Sequence, residues 1–543
     1  MKKSVSLILS LIMVIIMGGC RLNENDESGK SDSTMKQELL DAATQLEPSE
    51  ILYFEDGFEI DGMGLNWSGG VVEYDDNYYW PAVETKTGVH LNIKWKQEDG
   101  YVNAVSATLL SSDGDMPDII NANDLGIMDL VTDGAIVPLE DYLYLMPDIV
   151  KAVGPDRMDS WVQPDGHIYA IPNIVNVQGA KTMMVRKDWL DKLGMDEPNT
   201  WEDWKDLWRA IRDNDLNENG DPNDEIPFAC QYGPTGEMCL APLLDAFGIK
   251  STYDSQFCIL EDGTYTMIYE HPRYNEFLQE VHSLYEEGLI DPEFDSREQD
   301  DLYKIMDSNV LGTTYTWAEK CRLSSDALRE KGVSNALWKA CYPIAGPDGC
   351  RMTPERNMVS NKWCITKSAA DKGKVEDIIR FFNWCFTEEG SYLYSYGIEG
   401  VSYEYVNGKP VLYDEMTQNG FVDYRSFGCD IDSFGGLWQE DAYIQCLFEG
   451  KKVSELDATS KEFYNGIEIV NKGYYYTQYP TLATDAYHEY RGSLIVDGVC
   501  KDRDAAIKGE ITIDRFWQKY ESYKEKGLDK VIIEGQDAQK KMK

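Results

Sequence analysis

The stretch from Val89 to Asp124 constrains the fold more than any other part of the chain. Val89, Leu91, Ile93 and Trp95 alternate with His90, Asn92 and Lys94, the period-two pattern of a half-buried strand. A helix over about Tyr101 to Leu110 follows, and Met116-Pro117-Asp118-Ile119-Ile120 then makes a short apolar strand that runs into polar Asn121, Asn123 and Asp124. Strand, helix, strand with polar residues at the strand's end is the pattern of an open α/β sheet, whose ligands sit beyond the carboxyl ends of its strands. The alternation continues. Lys187 to Leu193 reads as a helix stopped by Gly194, and Thr200 with Asp203 forms a capping box for the next one. In that helix Trp201, Trp204, Leu207, Trp208 and Ile211 recur at spacings of three and four, an inward apolar face rather than a ligand platform. Val375 to Phe386 is an apolar helix ending near Gly390, Asn419 to Trp438 reads as loops, and Ile511 to Lys526 reads as the terminal helix. A chain of 543 residues is long enough for two or more compact units.

Charge and the first twenty residues bound where such a body works. With 96 acidic and 51 basic side chains the formal charge is −45, so no basic stripe exists to displace phosphate counterions, and nucleic acid is excluded as a partner. Docking on anionic lipid is excluded for the same reason. Lys2 and Lys3 precede Val5 to Met17, apolar apart from Ser6 and Ser10, and Gly18, Gly19 and Cys20 close the segment. This run is too short to span a bilayer easily and suits an export signal. Two small residues before a Cys resemble the bacterial lipobox, which implies cleavage ahead of Cys20 and a diacylglyceryl group on its sulfur; Met17 departs from the usual Leu. The alternative is an ordinary secretory signal in which Cys20 is incidental. The polar stretch after it, up to residue 47, reads as a disordered tether. Membrane attachment is then by the lipid alone, on the extracellular face of the cell membrane. Twelve cysteines leave eleven after Cys20, an odd number without a C-x-x-C pair, and their apolar neighbours mark them as buried free thiols.

Six phrases carry a resemblance in order. Gly114 to Ile120, Ala135 to Glu140, Asp165 to Pro172, Val185 to Gly194, Tyr285 to Pro292 and Tyr396 to Tyr403 resemble the sugar-binding lipoproteins of bacterial ABC transporters. The likeness runs from about residue 50 to the C-terminus and is nearest to the long, calcium-containing kind that includes alginate-binding and LplA-like lipoproteins. It implies an α/β, two-lobed periplasmic-binding-protein-like fold whose lobes close over a ligand about hinge strands. By this analogy the first lobe holds 48–172 and 344–400, the second 173–343 and 401–543. It also implies a monomer that serves permease subunits.

Residues for two sites follow. Asp215-Leu216-Asn217-Glu218-Asn219-Gly220-Asp221 places oxygen side chains at alternating positions before a sharp turn, the arrangement that surrounds calcium. A helix-hand loop would close with Glu at position 226, which is Ile here. The family's loop closes with an adjacent Asp-Glu pair, matched by Asp224 and Glu225 one residue late, so the implied ligands are Asp215, Asn217, Asn219, the Asp221 carbonyl, Asp224 and Glu225. The alternative is a solvated acidic turn. A sugar needs flat aromatic faces and planar polar groups. Trp317, after the strand-like run Val310 to Tyr315, either stacks on ligand or belongs to the core; in sugar-binding relatives this place often faces the cleft. Trp67, Asn121 and Asp124 are further candidates for the ligand, with Tyr232, Glu399 and Trp438 after them. There is no G-x-S-x-G, H-E-x-x-H or P-loop. The expected function is capture of a carbohydrate, an oligosaccharide, for an ABC importer without catalysis; a surface or secreted glycoside hydrolase is the alternative.

Overall fold

A computed structural model describes residues 32–542 apart from 67–77, 111–115, 123–124, 156–157, 164, 175–180, 234–235, 253–255, 356–358, 414–415, 417–435, 438, 449, 471–474, 478–480 and 483. Cys20, Trp67, Asp124 and Trp438 lie outside the described residues. The strands run β1 (Phe58–Asn66), β2 (Val89–Gln97), β3 (Ile119–Asn121), β4 (Ala170–Ile174), β5 (Lys181–Arg186) and β6 (Ile226–Ala229). A hairpin β7 (Phe257–Ile259) and β8 (Tyr265–Met267) precedes β9 (Leu311–Trp317), β10 (Trp338–Cys341), β11 (Thr353–Glu355) and β12 (Val359–Ile365). A second hairpin, β13 (Tyr403–Val406) and β14 (Lys409–Leu412), and then β15 (Tyr475–Thr477) complete them.

Two open sheets result. The first has the order β2-β1-β3-β12-β4, the second β10-β5-β9-β6. In the first, β1 is parallel to β2 and β3, while β12 is antiparallel to β3 and β4. In the second, β5 is antiparallel to β9 and β10, and β6 is parallel to β9. Asn66, Asn121, Ile174 and the start of β12 therefore share one rim of the first sheet. By the same reasoning Lys181, Ala229, Trp317 and Cys341 share one rim of the second. The chain crosses from Ile174 to Lys181 and from Cys341 toward β12, so both crossings run from rim to rim. Seven residues reach at most about 25 Å. The two rims are consequently held near one another by these connections.

Local sequence accounts for the elements that position these rims. The Trp201–Arg212 helix starts on the full capping box between Thr200 and Asp203 and buries Trp201, Trp204, Leu207, Trp208 and Ile211. Trp208 Nε1 donates to Thr313 Oγ1 at 2.9 Å, and Thr313 donates to the Pro227 carbonyl at 2.7 Å, which fixes the helix to β9 and β6. The Lys187–Leu193 helix ends at Gly194, in the left-handed region at φ 64, as a C-cap glycine does. In β1, Gly64 stands opposite Trp95, and a Cβ there would lie 2.4 Å from the indole. Cys230, Cys239, Cys258, Cys321, Cys341, Cys364, Cys385 and Cys500 are buried thiols and Cys350 is half-buried. Burial pushes the Cys364 thiol up to about 12, which keeps it unreactive.

Four expectations are corrected. The tether is not wholly irregular: Asp32–Ala43 is a helix with Leu39 and Ala43 fully buried in the first core, because its apolar residues recur at helical spacing. The apolar helix ends at Cys385. Gly390 instead belongs to the next helix, Glu388–Tyr396, where its N–H bonds the capping Thr387, and a Cβ would meet the Trp384 carbonyl at 2.2 Å. The Ile513–Tyr523 helix is not terminal, since the chain continues past Gly527 (φ 152) into Asp529–Met542. Tyr403, Leu412, Met416 and Ala442 pack into the first core, although the expected division put 401–543 in the second lobe.

Candidate functional site

Each rim contributes distinct chemistry. On the second sheet Trp317 closes β9 opposite Lys181, whose ammonium stands 4.8 Å from the ring centroid. The ring is half-buried, so an aromatic surface remains at the rim. On the first sheet Asn121 is fully buried, and its backbone carbonyl accepts from the Tyr101 hydroxyl at 2.6 Å. Asn173 Oδ1 accepts from the Gly436 N–H at 3.0 Å, tying the segment after Gly436 to the rim. Asn66 Oδ1 and Asn361 Oδ1 are buried without a hydrogen-bond partner among the described residues; composition and spacing single out neither residue, because only the pairing of β12 beside β3 brings them to the same edge. A cavity between the rim of the second sheet and the crossing segment, lined by Lys181, Tyr315, Pro343 and Thr353, has about 10 Å³. That is room for one water. A larger groove of about 690 Å³, with Lys367, Asp371 and Lys372 in its wall, lies at the opposite end of the first sheet and is not part of the rim.

The remaining sugar candidates are placed differently. Tyr232 follows β6, but its hydroxyl donates to Asp504 and accepts from Arg503 at 3.0 Å. Burial pushes that phenol above its usual range, with Arg503 opposing and Asp504 adding to the shift. The side chain thus joins the loop after β6 to the C-terminal helices. Glu399 is exposed in a turn bridged to Tyr403.

The acidic loop lies between the Trp201–Arg212 helix and β6, at the end of the second sheet opposite Trp317. Asp215 accepts from the Asn219 and Gly220 N–H groups at 3.1 and 3.0 Å. Asn217 and Asn219 turn their amide nitrogens to the two oxygens of Asp224 at 3.0 and 2.6 Å, and Asp221 accepts from the Asn223 N–H at 3.1 Å. Glu218 and Gly220 adopt φ of 59 and 91, which folds the loop around its own oxygens. Glu225 Oε1 accepts from the Leu216 and Asn217 N–H groups at 2.8 and 3.2 Å, while Oε2 is buried without a partner. Burial raises this carboxyl above its usual range against the two backbone bonds. Among the described residues no group of three or more His, Cys, Asp or Glu is arranged to hold a metal as the side chains lie. The donor set is instead mixed carboxylate and amide oxygen, of the hard kind that suits calcium, and the orphaned Glu225 oxygen fits a cation.

Comparison with known proteins adds the following. Residues 73–236 match the model of the bacterial extracellular solute-binding protein family. The chain is 30% identical over 289 residues, 51% of either chain, to the fructooligosaccharide ABC transporter substrate-binding protein FusA of Streptococcus pneumoniae. That alignment spans about half the length of the curated relative. Lipoprotein LipO of Bacillus subtilis is 24% identical over 462 residues, covering 83% of this chain and 86% of its own. The crystal structure of alginate-binding protein AlgQ2 without calcium ion superposes with a TM-score of 0.64 at 22% identity, covering 90% of this chain and 99% of that one. The shared architecture is the two-lobed α/β one.

Proposed function

We infer that this chain, a bacterial extracellular solute-binding protein by the match of residues 73–236 and by its two-lobed fold, captures an oligosaccharide and hands it to an ABC importer without altering it. The observation that carries this reading is the pair of rims, one ending in Trp317 and the other in buried amides, joined by crossings that start and end at the rims. Such a crevice binds a ligand between two bodies that close on it. The relatives named above are transporter binding proteins and lipoproteins rather than hydrolases. In this reading the first lobe is built on the five-stranded sheet and the second on the four-stranded one, Trp317 stacks on the sugar, and Cys20 carries the lipid. Trp67, Asn121, Asp124, Tyr232, Glu399 and Trp438 remain candidates at the cleft. Permease subunits are the protein partner, and the receptor acts as a monomer outside the membrane of a Gram-positive cell. No helix among the described residues is long and apolar enough to cross a membrane.

Calcium belongs to the same proposal. Asp215, Asn217, Asn219, the Asp221 carbonyl, Asp224 and Glu225 would hold it, and it would neutralise charge in the loop without touching the sugar, since the loop lies at the far end of β6. A thermal-shift screen against an oligosaccharide library tests the main reading. A rise in melting temperature with at least one glycan, recovered intact by chromatography, is the expected result. Cleavage of the bound glycan at a catalytic rate, or no shift across the library, overturns it.

A further inference from the structure

The rim of the first sheet holds two amide oxygens that no described residue satisfies. Asn66 is the last residue of β1, and Asn361 lies in β12 just before the register shift at Trp363. Both side-chain oxygens are buried without a hydrogen-bond partner. The pairing places them symmetrically. Met63 aligns with Ile120, so Asn66 stands beyond the end of β3; Trp363 aligns with Asn121, so Asn361 stands beyond it too. Adjacent strands are separated by about 4.8 Å, which puts β1 and β12 about 10 Å apart. Strand β3 stops between them, leaving the two oxygens on either side of the point where the crevice begins.

A buried carbonyl oxygen without a donor destabilises the protein that carries it, so it calls for a donor from outside the chain, a water in the free protein and a ligand hydroxyl in the bound one. We propose that Asn66 and Asn361 form a hydroxyl-accepting pair that selects an uncharged sugar unit at this rim, a proposal that rests on the oligosaccharide reading above. An amide oxygen accepts hydrogen bonds and cannot donate them. A sugar hydroxyl supplies the missing proton. A uronate carboxylate at neutral pH has none to give and would set its lone pairs against those of the amide oxygens, so a uronate unit meets the pair only through its ring hydroxyls, in the orientations that turn the carboxylate away. Long-range electrostatics point the same way, because a net charge of −45 opposes the approach of a polyanion.

Titration calorimetry on the full mature chain decides the matter. Neutral fructo-, galacto- and manno-oligosaccharides are compared with oligogalacturonates of matched length, and at least one neutral glycan is expected to bind more than tenfold tighter than any uronate. Asn66→Leu and Asn361→Leu, near in shape, should each weaken that binding roughly tenfold to a hundredfold. The same variants should raise or preserve the melting temperature of the ligand-free protein, because an unsatisfied oxygen has been removed. A structural role would do the reverse, lowering the melting temperature and leaving affinity unchanged, and that result overturns the proposal. Uronate binding as tight as neutral binding overturns it while sparing the oligosaccharide reading, and this comparison needs no variant to fold. Binding of neither class removes the proposal together with the reading beneath it.

Discussion

At the residue scale, Trp317 and Asp118 make opposite kinds of contribution. Trp317 is half-buried at the end of β9 with Lys181 over its ring, and it belongs to none of the buried apolar cores. Trp317→Ala should weaken oligosaccharide binding roughly tenfold to a hundredfold, as the loss of an aromatic anchor does. Its melting temperature should stay within about 3 °C of the parent, given a position outside the apolar cores and the modest worth of one cation–π contact. Unchanged affinity in calorimetry would move the stacking platform elsewhere. Asp118 precedes β3 with a fully buried carboxylate bonded to Lys374 at 2.6 Å and Lys372 at 3.2 Å. Burial pushes its carboxyl up, but Lys374, the Asp61 N–H and Lys372 outweigh that and hold it below the usual range. A lowered carboxyl stabilises the fold above its unfolded value and loses that contribution as pH falls through the folded value. Asp118→Asn should therefore cost about 2 kcal/mol at pH 7. Urea melts should show the gap to the parent closing below about pH 4; a constant gap would mean that packing, not charge, is what Asp118 supplies. Neither role was equally legible beforehand. Trp317 stands out in the sequence because it follows an apolar run, whereas Asp118 reads as one acid among 96 until Lys372 and Lys374 fold over it.

At the element scale, the loop from Asp215 to Glu225 is the test case. Its oxygens at alternating positions, and the turn at Gly220, are local features and so visible in the chain. The orphaned Glu225 oxygen is not, because its burial depends on where β6 joins the sheet. Chelator should lower the melting temperature of the mature protein, since an ion that binds only the folded state stabilises it by mass action, about 2.7 kcal/mol at a hundredfold excess over Kd. Asp215→Ala combined with Asn217→Ala should abolish the sensitivity. Calorimetry without calcium uptake by the metal-free protein would return the loop to the status of a solvated acidic turn. The Trp201–Arg212 helix was legible in full, as its capping box and tryptophan spacing are contained within a dozen residues. Gly390 misled for the opposite reason. A glycine after an apolar helix looks like a stop, yet this one is demanded by the carbonyl of Trp384, a contact created only when Thr387 caps a second helix.

At the scale of the whole molecule, closure is the property that two lobes joined at their rims imply. A sugar that touches both lobes binds the closed state better and shifts the population by that difference. Small-angle scattering should show a smaller radius of gyration when a binding oligosaccharide is added, and no change with a sugar that leaves the melting temperature alone. Equal radii with a bound ligand would leave capture without closure. Cys20→Ala should release the protein from membranes into the medium, and full retention there would count against the lipid. The sequence by itself determined the α/β class, the signal-like start and the acidic loop, because each is written in periodicity, composition or spacing over a few turns of chain. It also carried the family resemblance. Only the tertiary structure decided which residues share a rim, that Asn66 and Asn361 flank the end of β3, that Tyr403, Leu412, Met416 and Ala442 pack into the first core, and that Tyr232 is held by Arg503 and Asp504. Those facts depend on strand order and on contacts between residues hundreds of positions apart, which no local pattern encodes.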